Sequence, residues 1–366
     1  MNKSNLPHNR FLFVTILIVT VILLVSFTIS LFVVMANESG TSVSNDKNSG
    51  SGSKKDNNTP ANVTVNENIN TTPLYPTTPS RSSYIIGKSD KLVQLTDDSI
   101  IKSNNTILVE LGSFSSIVEK NADQKIYPAS MTKVMTLIVA CERVTDLNVQ
   151  LKVTEEVFNY AKNTGGSGFG LKAGNFITVK DALYLIGFES DTIASIMMAN
   201  YIAGSEAEFV KLMNKKVSEL GLSQSTHFSN CTGLHDENNY STCRDIASIM
   251  AYALDNEMVC KTLSADKNTY AYNFKLNGNI DAYAFCGWYS ERFNKSVKLE
   301  SVTVSAGKTG YIDESGFSLV SYAVGNDGKK YINVIVGKPK GSGITSDIST
   351  GEVKMIYNKK EKIIEN

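Results

Sequence analysis

Histidine, tryptophan and net charge are what this sequence has least of. Its 366 residues include 3 histidines and 1 tryptophan, and 36 basic side chains balance 36 acidic ones. His8 precedes a long apolar run, so His227 and His235 alone remain for a folded domain. That argues against a histidine-rich metal site and leaves a Ser-His-Asp triad poorly supplied. The charge balance gives nucleic acid no footing as a partner, and nothing implies a cofactor. Five cysteines (Cys141, Cys231, Cys243, Cys260, Cys286) form an odd set without metal-ligand spacing. Cys141 reads as a small core residue, while a Cys231–Cys243 bridge stays open for an oxidising compartment. The 42% hydrophobic content can still fill a sizeable core in one or two domains. If the chain is a hydrolase, lysine is the base this composition favours.

Phe11 to Met35 is an apolar run of about 25 positions without a charge, enough to cross a bilayer core of about 30 Å. Lys3 and Arg10 precede it and no basic residue follows until Lys47, which predicts a cytoplasmic amino terminus and an extracellular remainder. The rival is a signal peptide cleaved near Val34-Met35-Ala36, although the run is longer than the usual signal core. The chain then turns to Asn, Ser, Thr, Gly and Pro, a composition that cannot bury enough surface to order itself. A flexible tether of that size holds the next domain about 35–40 Å from the bilayer. The expected organisation is therefore a cytoplasmic tail over 1–10, a transmembrane anchor over 11–35, a linker over 36–83, a catalytic domain over 84–345, and a carboxy-terminal helix and tail over 346–366.

The chemistry centres on Tyr127-Pro128-Ala129-Ser130-Met131-Thr132-Lys133, followed by an apolar run through Ala140. A serine three residues before a lysine shares a helical face with it, so an amine stands ready to take the hydroxyl proton. Pro128 suits a helix start, where exposed N–H groups favour developing negative charge. Ser-x-x-Lys also occurs at Ser44/Lys47, Ser51/Lys54, Ser264/Lys267 and Ser305/Lys308. Only at Ser130 does a proline-led apolar helix follow, and a lysine of lowered pKa needs that burial.

Hydrophobic patterning predicts a hairpin of 106–110 and 116–119, and helices over 181–188 and 193–202 on either side of Ser190. It predicts further helices over 206–220, closed by Gly221, and over 244–254. Strands return over 301–305, 316–324 and 331–336, and a last helix covers Glu352 to Tyr357. Strands at both ends of a helical middle imply an α+β domain whose terminal strands share one sheet. Gly307-Lys308-Thr309-Gly310 lies on a strand edge, with a fixed positive charge, a hydroxyl to bind a carboxylate and a glycine for close backbone approach. Phe188-Glu189-Ser190-Asp191-Thr192 supplies a second hydroxyl able to relay a proton.

A Ser-x-x-Lys, a later serine motif and a Lys-Thr-Gly triplet, in that order, resemble the serine D-alanyl-D-alanine carboxypeptidases. These are the low-molecular-mass penicillin-binding proteins of peptidase family S11. The likeness runs from about Asn105 to Val336. It includes Gly170-Leu171-Lys172-Ala173-Gly174, Leu220-Gly221-Leu222 with Thr226-His227-Phe228, and Gly233-Leu234-His235 with Ser241 to Asp245. The resemblance implies a penicillin-binding protein/β-lactamase-like fold, an antiparallel sheet with helices. It implies that Ser130 attacks the bond between two terminal D-alanines of a peptidoglycan stem peptide, with Lys133 as base. Backbone N–H groups of Ser130 and Tyr311 would hold the oxyanion, Ser190 would help protonate the leaving D-alanine, Lys308 and Thr309 would hold the substrate carboxylate, and Gly310 and Thr192 would complete the substrate-binding residues. β-Lactams would acylate the same serine.

Four departures from the family pattern stand out. Thr192 occupies the position of the usual asparagine, where its hydroxyl can bond Lys133 but lacks an amide's two donors. No arginine follows Arg292, which leaves Lys308 and Thr309, aided by Lys338 or Lys340, to bind the terminal carboxylate. Tyr311 replaces a common histidine. Too few residues follow Val336 for the carboxy-terminal β-domain and amphipathic anchor of many relatives, so the amino-terminal helix is expected to anchor the protein. Two other readings compete: a penicillin-binding fold turned binding or sensing module, and a class A-like β-lactamase. The latter lacks its glutamate-bearing loop between Glu206 and Asn230. His227 and His235 read as structural, His235 with access to the cleft, while Phe285, Trp288 and Tyr289 fit either a core or a substrate-facing ridge.

Overall fold

Asn105–Glu110 (β2), Gly316–Gly325 (β7) and Lys330–Val336 (β8) carry continuous apolar runs, the mark of strands covered on both faces. In the computed structural model these strands form the middle of a six-stranded sheet. It is completed by Gly87–Gln94 (β1), Ser115–Lys120 (β3) and Val302–Ile312 (β6), in the order β1-β3-β2-β8-β7-β6. The structure describes residues 72–96, 101–264, 301–342 and 351–358, together with the backbone of four short strands between 270 and 285. The expected tail and span over 1–35, most of the expected linker, and Cys286, Trp288 and Tyr289 lie outside the described residues, as does the side chain of Phe285. Among the described residues no helix is long and apolar enough to cross a membrane.

The terminal strands do share one sheet: β2 pairs with β8, Ile107 opposite Val334 and Val109 opposite Ile332. The sheet is mixed, which corrects the expectation of an antiparallel one. Four pairings are antiparallel, but β1 runs parallel to β3, Gly87 opposite Ser115 and Gln94 opposite Glu119. Ten residues, 95–104, join β1 to β2, long enough for β1 to lie beyond β3 in the same sense rather than close a hairpin. Residues 72–83, the end of the expected linker, touch the domain: Leu74 N donates to the Val144 carbonyl, and the Asn256 amide donates to the Tyr75 carbonyl.

Period-two alternation sorts the sheet's side chains into two cores. Ile107, Val109, Val320, Ile332 and Val334 face the helical layer. Leu108, Val118, Leu319, Tyr331 and Ile335 face Val353, Ile356 and Tyr357 of the carboxy-terminal helix, described over 351–358. At the centre of the helical layer is α1 (Lys133–Cys141), all of whose residues are buried. Around it pack Thr192–Ala203 (α4), Glu206–Glu219 (α5), Cys243–Ala253 (α6) and Glu257–Thr262 (α7). Two further helices, Glu155–Asn163 (α2) and Val179–Tyr184 (α3), flank a small hairpin of Gln150–Lys152 (β4) and Phe176–Thr178 (β5). Thr154, Ser205, Thr242 and Asn256 cap the helices they precede, and Thr178 with Asp181 forms a reciprocal capping box.

An ion-pair network crosses from helix to sheet. Arg244 of α6 donates to Glu119 of β3 and to Asp123, and Glu119 is 2% exposed. The Arg244 hydrogen bonds hold the Asp123 carboxyl below its usual range. Cys231 and Cys243 stand as free buried thiols.

Candidate active site

The chain reaches the site through a strained residue. Ala129 is fully buried and holds φ +48°, a conformation L-residues other than glycine rarely adopt. Ser130 follows in a 3-10 turn, Ala129–Thr132, so it precedes α1 rather than opening it. A 3-10 turn has three residues per revolution, which eclipses positions i and i+3. Lys133 Nζ accordingly donates to Ser130 Oγ at 3.1 Å. Two glycines press on this turn. A Cβ on Gly233 (φ +76°) would meet the Ala129 carbonyl oxygen at 2.0 Å, and one on Gly310 would meet Ser130 N at 2.8 Å.

Lys133 is 1% exposed. Burial lowers its pKa to about 8, against the attraction of Cys231 and Asp191, which favours the charged form. Its second hydrogen bond goes to the carbonyl of Thr232, in a loop held by Asn230, whose side-chain oxygen accepts from Gly233 N at 2.7 Å. Thr136 of α1 anchors the same loop through the Cys231 carbonyl at 2.7 Å. Sequence reasoning missed Thr232 because a backbone carbonyl carries no residue signature; the Gly233-Leu234 pair was its only trace.

Ser190 ends a π-helical turn, Leu185–Glu189, in the left-handed conformation (φ +56°). Gly187 lets that turn lie on α7, since a Cβ there would stand 1.9 Å from the Thr262 carbonyl oxygen. Ser190 Oγ and Glu189 Oε1 are both buried without a hydrogen-bond partner. Asp191 caps α4, accepting from Ala194 N and Phe169 N at 2.7 Å each. Thr192 is buried at the start of α4, and no hydrogen bond joins its hydroxyl to Lys133, the contact foreseen from sequence. The loop Gly165 to Gly170 closes over it: Ser167 bonds the Ser190 carbonyl and Thr192 N, and a Cβ on Gly166 would meet the Thr192 hydroxyl at 2.5 Å.

Lys308, Thr309, Gly310 and Tyr311 lie on β6, the outer strand of the sheet. Residues 306 and 307 of that strand bridge to 263 and 264, and the stretch from Gly310 packs on the Ser130 turn. An outer strand has backbone donors not used by its neighbour, here β7. Lys308 is 2% exposed; burial pushes its pKa well down, Lys133 adds to this, and Glu189 opposes it. Burial also raises Glu189 to about 7. Of the auxiliary lysines, Lys340 pairs with Asp313 at 3.0 Å. The Tyr311 side chain is exposed and donates to Asp313, while His235 stands edge-on to Tyr127, 3.7 Å from Glu314.

The fold defines a class: a domain with the penicillin-binding-protein fold. The Streptomyces K15 DD-transpeptidase superposes with a TM-score of 0.61 at 23% identity, covering 72% of this chain and 98% of that one. Penicillin binding protein 6B from Escherichia coli gives 0.60 at 21% identity, over 76% of this chain and 82% of its own. Residues 93–340 match the D-alanyl-D-alanine carboxypeptidase family, peptidase family S11, and the chain belongs to that family. D-alanyl-D-alanine carboxypeptidase DacF of Bacillus subtilis is 35% identical over 222 residues, 61% of this chain and 54% of the relative. DacA of Escherichia coli K12 is 30% identical over 232 residues, 61% and 53%. The chain spans about half the length of these curated relatives.

Proposed function

We propose that this protein is a serine D,D-carboxypeptidase that removes the terminal D-alanine from peptidoglycan stem peptides and is acylated by penicillins. The observation that carries the reading is Ser130 Oγ at 3.1 Å from a buried lysine whose pKa of about 8 leaves a useful neutral fraction near neutrality. Neutral Lys133 takes the proton as Ser130 Oγ attacks the penultimate D-alanine carbonyl. Backbone N–H groups of Ser130 and Tyr311 receive the oxyanion, helped by the close approach that Gly310 permits. Ser190 Oγ, buried and unpartnered, passes a proton to the leaving amine, and Lys308 with Thr309 holds the carboxylate. Water then hydrolyses the ester and restores Ser130.

Mass measurement of the full-length protein with a penicillin, alongside D-alanine release from a tripeptide ending in D-Ala-D-Ala, tests the assignment. A Ser130-dependent adduct with release is expected; no adduct overturns it. Thr192, which makes no bond to Lys133, favours a second reading, a penicillin-fold sensor with little turnover. An adduct without D-alanine release would select it.

The apolar run over 11–35 supports membrane anchorage, the catalytic domain outside the cell and a tether between. Fractionation should leave the intact amino-terminal sequence in the membrane pellet. A soluble protein beginning near Ala36 would instead support signal cleavage.

A further inference from the structure

Gly233 creates a difficulty for Lys133 that another residue must solve. The loop needs glycine there, because φ is +76° and a Cβ would stand 2.0 Å from the Ala129 carbonyl oxygen. Glycine accepts either sign of φ, so the peptide unit joining Thr232 to Gly233 can rotate at little steric cost. That same unit carries the Thr232 carbonyl, which with Ser130 Oγ accepts the two hydrogen bonds of Lys133 Nζ. Just before it the chain is firmly held: Cys231 N donates to Glu206 of α5 at 3.0 Å, and the Cys231 carbonyl accepts from Thr136 at 2.7 Å. The N–H of the 232–233 unit finds its partner in Asn230.

Asn230 is buried and its amide is used at both ends. Oδ1 accepts from Gly233 N at 2.7 Å, Thr232 Oγ1 at 3.1 Å and Thr232 N at 3.2 Å. Nδ2 donates to the Leu234 carbonyl at 3.1 Å and to Ser229 Oγ at 3.4 Å. Backbone donors around one atom and a backbone acceptor at the other fix which end is oxygen. A trans peptide is planar, with N–H and C=O on opposite edges. Holding the Gly233 N–H against Asn230 therefore aims the Thr232 carbonyl the other way, at Lys133. A neutral amine has two N–H bonds and one lone pair, so an N–H spent on that carbonyl helps turn the lone pair to Ser130 Oγ.

Building on the proposed carboxypeptidase reading, we infer that Asn230 is a positioning residue for Lys133: it locks the Thr232–Gly233 peptide so that the Thr232 carbonyl orients the amine. The proton passes from Ser130 Oγ to Lys133 Nζ, and Asn230 neither gives nor takes one.

The test follows acylation of the full-length protein by a chromogenic β-lactam at rising concentration, which separates the limiting rate from the half-saturating concentration. Asn230→Ala should lower the limiting rate about 10²-fold by misdirecting the amine, with the half-saturating concentration unchanged, since the groups proposed to hold the carboxylate lie on β6. Asn230→Asp keeps the acceptor oxygen. It should reach the parent's plateau rate at higher pH, because its carboxylate joins Asp191 and Cys231 in favouring the charged Lys133, against Lys308 of β6. An unchanged limiting rate in the alanine variant, or a half-saturating concentration that rises as the rate falls, overturns the inference and leaves the carboxypeptidase reading intact. An aspartate variant as slow as alanine at every pH also overturns it. A wild-type protein that the β-lactam does not acylate overturns both. If the alanine variant does not fold, Asn230→Ser takes its place: its shorter hydroxyl is a weaker acceptor for Gly233 N and should lower the limiting rate by a smaller step, and no loss overturns the inference.

Discussion

In the proposed reaction, a lysine enclosed beside the hydroxyl it deprotonates makes the rate a reporter of its own burial. Lys133 is a competent base only when neutral, and desolvation brings that condition down to about pH 8. The rate of acylation should therefore rise with pH and level off above about 8, and it should decline tenfold for each unit below. Stopped-flow acylation by a chromogenic β-lactam across pH 6 to 9 reads this acidic limb. A limb at the ordinary lysine value would mean that the enclosure is open in solution. Gly310 gives a second test at this scale. A Cβ there would lie 2.8 Å from Ser130 N and 2.9 Å from the Ala129 Cβ, both on a turn with no slack. Gly310→Ala should cost about 10² or more in acylation rate through misplacement of the proposed oxyanion donors, and should also lower the melting temperature because the turn or the strand must shift.

Between elements, the decisive contact is the guanidinium of Arg244, reaching from α6 to β3. Truncation by Arg244→Ala takes the guanidinium from the buried Glu119 carboxylate, leaving it Lys88 at 4.0 Å and hydrogen bonds from Gln94 and Ser116, so the loss should approach about 3 kcal/mol, the lower end for a broken buried pair. Urea titration followed by circular dichroism measures it, and a cost under about 1 kcal/mol would show that water already reaches Glu119. Sequence patterning captured much at this scale. The hairpin 106–110/116–119, the helices around Ser190, the amphipathic α5 and the last helix all follow from periodicity and punctuation, because each buries a face fixed by its own residues. The parallel pairing of β1 was not legible, since the register of an outer strand is set by the residues it meets and not by its own pattern. Likewise the Ser130–Lys133 spacing exposed the reactive pair, whereas the Thr232 carbonyl and the glycine loop above Thr192 act through backbone, which leaves almost no trace in side-chain identity.

At the largest scale, the sheet is covered by a layer of helices on one face and by the carboxy-terminal helix on the other, which closes the second core. Tyr357 is fully buried there, its hydroxyl 2.9 Å from Ser321 Oγ. Tyr357→Ala should lower stability by about 3–5 kcal/mol, and Tyr357→Phe by about 1 kcal/mol, as judged by chemical denaturation. The two middle strands have a further consequence. β2 is made early and β8 late, with about 220 residues between them, so their pairing closes a very long loop. β6, whose Gly310 braces the Ser130 turn, is likewise absent until most of the chain exists. A ribosome that has released Ser130 and Lys133 has thus released the ingredients of a nucleophile but not the nucleophile itself. The proposed reactivity is withheld during synthesis by topology, and appears with the final strands.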